Sequence, residues 1–363
     1  GIKSYADEKG GWQIVTSPPS LRSAGEEDIH LPALKTWPGD GVIACLTTRG
    51  EEKAAARLPM PVVNLSGWQP PGLGVPRVNA DHEAIGRVAA EHLLALGLRH
   101  FGYYGIAGPW YSRARERGFS ERLHQAGHDC AVFRQAASGV RAQKWRQRYA
   151  GLERWLKGLP KPCGILAVHD YRARVVMELC SRLGFAIPGE VALLGVDNDP
   201  TTCEYCTPSL SSVSRDPFAC GVAAAALLYS LMRGLPVSGR DTLVRPQGVI
   251  TRGSTDHFYD DDPVVRRVVE HVVAHAGEAM SVAAIAKRLR MSRRLIEMRF
   301  RERLGTTPHA YLQQRRVRYA RNLLLDNARI RSLGEVAAAS GFGCARAFRE
   351  AFRAATGYTP KAF

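Results

Sequence analysis

No stretch of this 363-residue sequence stays apolar for the ~20 residues that a membrane-spanning helix needs, so no spanning helix is expected within it. The opening residues do not read as a secretory leader and do not begin with Met, so no leader is expected within them. The first six residues read instead as the inside of a helix, so a segment is expected ahead of Gly1. The eight cysteines are scattered, and only Cys203-x-x-Cys206 brings two close together. With no second such pair and no His pair at ligand spacing, zinc and a disulfide scaffold are both disfavoured. No metal and no other cofactor is expected. Catalytic signatures are missing too: no G-x-S-x-G elbow, no P-loop, and no G-x-G-x-x-G opening a helix after a strand. Gly72-x-Gly74 sits in a Pro-rich loop. Nothing singles out a pair of carboxylates for acid–base work, so the residues do not point to an enzyme.

Acidic residues are also in short supply, 34 against 50 Lys and Arg, for a formal net charge of +16. The imbalance is local. After residue 263 there are 20 basic residues against 7 acidic ones, whereas the first 263 hold 30 against 27. A strongly basic module is therefore joined to a nearly neutral body, which points to a polyanionic partner for the module. Hydrophobic residues make up 45%, enough for ample cores, and the length calls for two or three domains.

Residues 1–255 alternate β-branched runs with amphipathic helical stretches. Strands are expected at 12–16, 41–46, 61–65, 77–79, 100–105, 130–133, 164–169, 191–196 and 210–213. Helices are expected at 81–96, 113–126, 141–158, 171–183 and 216–233. Asp81 suits a helix N-cap and Gly97 the C′ position that ends the same helix. Alternating units of this kind build parallel sheets covered on both faces, and there are too many for one compact sheet. Two similar lobes are expected. Residues 256–263 are acidic and end in Pro263, which reads as a linker. From 264 to 363 the chain is helical.

Two helix-turn-helix units are legible in that tail. In the first, Ser281 caps a helix whose Val282, Ile285, Ala286 and Leu289 face inward. Arg290–Met291 form the turn, Ser292 caps the second helix, and Ile296 and Phe300 face the core. Arg293, Arg294 and Glu297 are left on the outer face near the helix start, where base edges are read. In the second unit, residues 333–340 form the first helix and Gly341-Phe342-Gly343 the turn. Cys344, Ala345, Arg346 and Arg349 then lead a helix that buries Phe348 and Phe352. A helix over 308–326, about 28 Å long at 1.5 Å per residue, spaces the units. That length suits two recognition helices near the ~34 Å repeat of one face of duplex DNA. An ordinary bundle with a solvated basic face is the competing reading of either unit alone.

The second unit, with Gly357-Tyr358-Thr359-Pro360-Lys361-Ala362-Phe363 and Leu304-Gly305-Thr306-Thr307-Pro308, resembles the DNA-binding domain of the arabinose-operon-regulator (AraC) family. Ala347 departs from it, since an aromatic is usual there, and looser local packing is expected. The body resembles the effector domain of the lactose/galactose-repressor family, which is itself similar to periplasmic sugar-binding proteins. The matching segments include Asn79-Ala80-Asp81, Arg115-Glu116-Arg117-Gly118-Phe119, Gly195-Val196-Asp197-Asn198 and Thr251-Arg252-Gly253-Ser254-Thr255. The combination, with 167–174 and 210–213, resembles the family of xylose-operon activators along the whole chain.

Ligands of two-lobed parallel folds bind beyond the carboxyl ends of the strands. Asp170, Asp197 and Asn198 follow strands, while Trp110 and Arg115 lie beyond another. A carboxylate and a guanidinium suit vicinal hydroxyls, and an indole suits the apolar face of a sugar. The same residues also suit helix caps, an ion pair and core filling. The resemblance implies that Arg115, Asp170 and Asp197 touch a sugar, with Trp110 a weaker match, and that a first strand precedes this sequence. It further implies a two-lobed periplasmic-binding-protein-like body with two doubly wound parallel sheets, followed by an all-α domain. The implied partners are double-stranded promoter DNA, a sugar effector with D-xylose foremost, a second copy in a homodimer, and RNA polymerase for an activator. The implied setting is cytoplasmic and nucleoid-associated. Response to another monosaccharide, and an architectural DNA-binding role with a body that only dimerises, are the alternatives.

Overall fold

The computed structural model describes the chain apart from residues 17–30, 73, 137–144, 238, 240, 257–261, 276, 305, 326–331, 357–358 and 362–363. It opens with α1 (Ile2–Lys9), β1 (Val42–Ala44), α2 (Arg49–Ala55), β2 (Val62–Asn64) and β3 (Arg77–Ala80). The chain then passes to a second sheet through α3 (His82–Leu94), β4 (His100–Ile106), α4 (Trp110–Gln125), β5 (Cys130–Gln135) and α5 (Trp145–Gly158). This run continues with β6 (Cys163–Ala167), α6 (Asp170–Leu183), β7 (Val191–Val196), α7 (Pro200–Glu204) and β8 (Ser211–Ser214). It returns to the first lobe in α8 (Pro217–Met232) and β9 (Asp241–Val244), then closes the second lobe with β10 (Gly248–Ile250).

The sheets run β1-β2-β3-β9 and β10-β8-β7-β6-β4-β5. Every pairing is parallel except that of β10, which lies antiparallel to β8. Strands buried on both faces explain the continuous apolar runs. Tyr103, Leu166 and Leu194 enter one core, whereas their neighbours Tyr104, Ile165 and Leu193 enter the opposite one. The first lobe repeats this on a smaller scale, with Val63 and Val78 packed beneath Ala224 and Leu228 of α8.

Three crossings join the lobes: Ala80 to His82, Ser214 to Pro217, and Val244 to Gly248. Two of them end in an aspartate cap. Asp81 accepts from the Ala84 amide at 2.9 Å, and Asp216 from the Ala219 amide at 2.8 Å.

Several expectations need correction. Residues 12–16 form no strand; Trp12 instead stacks on Tyr229 and meets Tyr5 edge-on, so local β-propensity yields to aromatic packing. Gly97 has φ 80°, as expected of a glycine stop, but sits two residues past the Ala95 cap rather than one. The helix expected from 113 begins at Trp110. Residues 141–144 of the helix expected at 141–158 lie outside the described residues. Asp262 and Pro263, read as linker, open α9 (Pro263–Ala274): Asp262 accepts from the amides of Val264 and Val265, and Pro263 takes the first turn, where it needs no donor.

The tail continues with α10 (Val282–Leu289), α11 (Arg293–Leu304), α12 (Pro308–Leu325), α13 (Leu333–Ala339) and α14 (Ala345–Thr356). Ser281 and Ser292 cap their helices through the amides of Ala284 and Leu295, both at 3.1 Å. Arg290 takes the left-handed turn between α10 and α11, and Gly341, at φ 72°, the turn after α13. Ile285, Ile296 and Phe300 share one core, and Phe342, Phe348 and Phe352 another. Helix α12 feeds both cores and binds them together. Its buried Arg316 donates to the Met280 carbonyl at 2.7 Å and lies 6.0 Å over the Phe342 ring. Ala347 is exposed, so that departure falls on the outer face and not in the core. Gly305, Gly357, Tyr358, Ala362 and Phe363 of the quoted tail motifs lie outside the described residues, as does the predicted linker over 257–261.

Candidate functional site

The loop after β2 and the start of α4 face each other across the lobes. Pro109 offers α4 no side-chain cap. The first lobe supplies the missing acceptors: the Trp68 carbonyl takes the Trp110 amide at 2.9 Å, and the Gly67 carbonyl takes the Tyr111 amide at 3.0 Å. Only glycine fits this approach, because a Cβ at 67 would lie 2.8 Å from His82 Nε2 and 3.1 Å from Asn79 Nδ2.

Behind this contact runs a chain of hydrogen bonds whose directions are set by the donors. Arg115 Nε–H donates to His82 Nδ1 at 3.3 Å. That places the His82 proton on Nε2, which donates to Asn79 Oδ1 at 3.1 Å. Asn79 Oδ1 also accepts the Ala80 amide at 2.9 Å. Among the described residues, Asn79 Nδ2 is left buried and without an acceptor. Burial pushes His82 well below its usual pKa, and the charge on Arg115 adds to this, so the ring is neutral.

Asp197 stands on the opposite wall at the end of β7. It has φ 120°, and Asn198 has φ 54°, a conformation costly for residues with a side chain. The turn is held by its surroundings. The Asn198 amide donates to Ser212 Oγ at 3.0 Å, and Asn198 Oδ1 accepts from Arg252 Nη2 at 2.8 Å. Asp197 Oδ2 accepts from His169 Nδ1 at 3.0 Å, and His169 Nε2 then accepts from the Tyr111 hydroxyl at 3.1 Å. Asp197 Oδ1 lies 2.7 Å from Arg215 Nε and 3.8 Å from Arg115 Nη2. Both are ion pairs without hydrogen-bond alignment, so this oxygen still lacks an aligned donor. Burial works against the Asp197 charge. The His169 hydrogen bond and the two guanidiniums outweigh it and hold the carboxyl below its usual pKa. Burial pushes His169 down, partly opposed by Asp197, so that ring is neutral as well.

The expected residues are therefore placed unequally. Arg115 and Asp197 meet, with Asn198 beside them. Trp110 is half-buried and meets the His82 ring edge-on at 5.6 Å. Asp170 is buried, and its two oxygens accept from Ser212 Oγ at 2.6 Å and the Asp199 amide at 2.9 Å. Burial raises its pKa to about 7, against the pull of those two donors. Asn79, His82, Tyr111, His169, Arg215 and Arg252 also belong to this cluster, although sequence reasoning gave them no role. Tyr171 adds an exposed ring stacked on His169 at 5.4 Å and 17°. Position after a strand would have flagged His169; the others are brought in by tertiary packing alone.

On the tail, Ser292, Arg293 and Arg294 are exposed at the start of α11, and Arg293 reaches Glu297 at 2.7 Å. Cys344 is exposed just ahead of α14, where its sulfur accepts the Ala347 amide at 3.5 Å, and Ala345 is the first residue of that helix. Arg346 and Arg349 project outward from α14, the first pairing with Glu350 at 2.9 Å. A groove of about 460 Å³ runs beside α11, lined by Ser281, Arg293, Glu297, Arg301, His309 and Arg316. Among the described residues, no helix is long and apolar enough to cross a membrane and no cluster of His, Cys, Asp and Glu suits a metal.

Residues 90–255 match the periplasmic binding protein-like domain family, and residues 285–363 match a helix-turn-helix domain family. The chain is 30% identical over 346 residues to the xylose operon regulatory protein of Escherichia coli K12, covering 93% of this chain and 87% of that protein. It is also 30% identical over 291 residues to the xylose operon regulatory protein of Haemophilus influenzae, covering 79% and 74%. Among solved structures it resembles that of a xylose-binding transcription activator, with a TM-score of 0.61 and 27% identity over 99% of this chain and 91% of the other. By this likeness in sequence and fold, the chain belongs to the xylose operon regulatory protein family of sugar-responsive, DNA-binding transcription regulators.

Proposed function

We propose that D-xylose binds between the lobes and that its binding alters how the tail engages promoter DNA, activating pentose-utilisation genes. One observation carries the sugar assignment. Asn79 Nδ2 on the first lobe and Asp197 Oδ1 on the second are buried polar atoms without an aligned partner among the described residues. A buried amide donor left unpaired costs roughly 1–3 kcal/mol; a polyol's hydroxyls would supply its acceptor and an aligned donor for Asp197 Oδ1, which otherwise has only its ion pairs with Arg215 and Arg115. Arg115 and Asp197 are the principal contacts, Asn198 and Trp110 border them, and Asp170 acts by holding the turn at 197–199. The family's relatives, named for the xylose operon, favour a pentose over a hexose.

The tail reads DNA with Ser292, Arg293, Arg294 and Glu297 in one major groove and Cys344, Ala345, Arg346 and Arg349 in the next. A homodimer places two tails on a promoter and presents them to RNA polymerase in the cytoplasm. The sensor body spans residues 1–255, the linker 256–261, and the tail the rest from Asp262. Calorimetry and thermal unfolding with a panel of pentoses and hexoses test the sugar. D-xylose should bind in the micromolar to millimolar range and raise the body's unfolding temperature. A panel in which no sugar binds refutes this reading.

A further inference from the structure

The tail does not merely hang from the body; its helix α12 rests on the third crossing between the lobes. Arg321 Nη2 donates to the Gln247 carbonyl. Gln247 itself ties two crossings together. Its amide donates to the Ser214 carbonyl at 2.9 Å, and its side-chain oxygen accepts from Ser214 Oγ at 2.9 Å. Ser214 is followed directly by Arg215, whose Nε reaches Asp197 in the cleft. The next residue on the other side, Gly248, has φ 107°, and a Cβ there would overlap the Arg321 guanidinium. Glycine at 248 thus leaves the space that the guanidinium fills. A second contact lies six residues earlier on α12, where Arg315 meets Asp256 at 3.5 Å.

We propose that Arg321 is the positioning residue through which the hinge of the body sets the placement of the DNA-reading tail. Crossing segments are where backbone angles change when lobes open or close. A side chain anchored to that backbone moves with it, and α12 is the helix that binds both helix-turn-helix units into one body. Arg321 acts through the hinge and not on DNA. Its head is turned to Gln247, and burial lowers its pKa to about 10. This rests on the sugar reading above, because the signal it carries is sugar binding.

The test uses the full chain and a labelled duplex selected by the wild-type protein from a random pool. Affinity for D-xylose is measured by calorimetry, and affinity for the duplex by anisotropy with and without the sugar. Wild type should show a sugar-dependent change of about 5- to 150-fold in duplex affinity, the span of ordinary coupling. Arg321→Ala should keep D-xylose affinity and sugar-free duplex affinity within about twofold of wild type, while the sugar-dependent ratio falls towards one. Gly248→Ala, which displaces the guanidinium from the other side, should lower the same ratio with Arg321 still present. An unchanged ratio in Arg321→Ala overturns the proposal, and so does a loss of sugar-free binding that marks Arg321 as a DNA contact. A wild-type protein that binds no D-xylose overturns the sugar reading as well. One that binds D-xylose without any change in duplex affinity overturns the coupling alone.

Discussion

Arg215 Nε lies 2.7 Å from Asp197 Oδ1, which links the second lobe-to-lobe crossing to the tip of β7. The same carboxylate takes His169 on its other oxygen and faces Arg115 at 3.8 Å. One side chain therefore faces the charges of α4 and the crossing and takes a hydrogen bond from the neutral ring ahead of α6. Removing it should separate sugar sensing from DNA binding. Asp197→Ala should weaken D-xylose binding about 10- to 150-fold, since a charged hydrogen-bond partner is worth ~1.5–3 kcal/mol. It should also lower the unfolding temperature of the body, because Arg115 is left buried without its counter-ion. Duplex affinity without sugar should stay within about twofold of wild type. Equal loss of sugar and DNA binding would contradict the placement of the cleft.

The position of Arg115 depends on two glycines as much as on its charge. Helices α3 and α4 cross where Gly86 faces the Arg115 carbonyl and Gly118 faces the Glu83 carbonyl. A Cβ at either position would overlap backbone that cannot swing aside. Gly118→Ala should cost ~1–3 kcal/mol by overpacking, although alanine suits a helix better than glycine. It should also lengthen the Arg115–His82 contact and so weaken sugar binding. Thermal unfolding and calorimetry check the two effects together; a stabilised variant with normal sugar affinity would refute the close crossing.

The tail was legible in its sequence because its signals are local. Ser281, Ser292 and Gly341 mark helix ends by their own chemistry, and Phe348 and Phe352 by helical spacing. The alternation of strands and helices in the body was equally plain, as was the place of Arg115 and Asp197 beyond strands. Strands β9 and β10 escape the sequence pattern: they are four and three residues long, and β9 places Asp241 and Thr242 before Leu243 and Val244 without alternation. The partners of Asp197 were hidden for another reason. His169 and Arg215 lie 28 and 18 residues from it, and Tyr111, which bonds to His169, lies 86 away; only the packing of α4 and α6 on one sheet, with the second crossing passing beside β7, brings them together. Asp170 shows the converse. Its position after a strand suggests a ligand contact, and the structure adds a second role, since its oxygens accept from Ser212 and Asp199 within the second lobe.

Acid titration should show two opposing slopes in the body. His82 and His169 have lowered pKa values, so their contribution is complete above their usual value near 6.5 and is lost as pH falls below it. Asp170 is raised from 3.8 to about 7, so it favours the fold most at low pH and loses that advantage as pH rises towards 7. Between pH 7 and 5 the two effects partly cancel. Asp170→Asn removes the compensating one. Its unfolding temperature should therefore drop more steeply than that of wild type between pH 7 and 5, as followed by thermal unfolding in matched buffers. Parallel curves would place Asp170 outside this balance.

Arg346 and Arg349 lie on the same outer face of α14 but make different contacts there. Arg346 extends to Glu350, whereas Arg349 Nε folds back onto the Ala345 carbonyl at 3.2 Å. An exposed pair within one helix is weak and screened by salt, so Arg346 can leave Glu350 for a guanine edge at little cost. Arg349, held close to its helix, suits a phosphate. Arg346→Ala should then cost ~1–3 kcal/mol in duplex affinity and flatten the preference at one base position. Arg349→Ala should weaken all sequences alike and reduce the slope of log affinity against log salt by about one. Anisotropy titrations at several salt concentrations, on the selected duplex and on single-base variants, separate the two. If Arg346→Ala lowers affinity uniformly with a matching loss of salt slope, the arginine contacts phosphate, and specificity in this unit must come from Cys344 and Ala345.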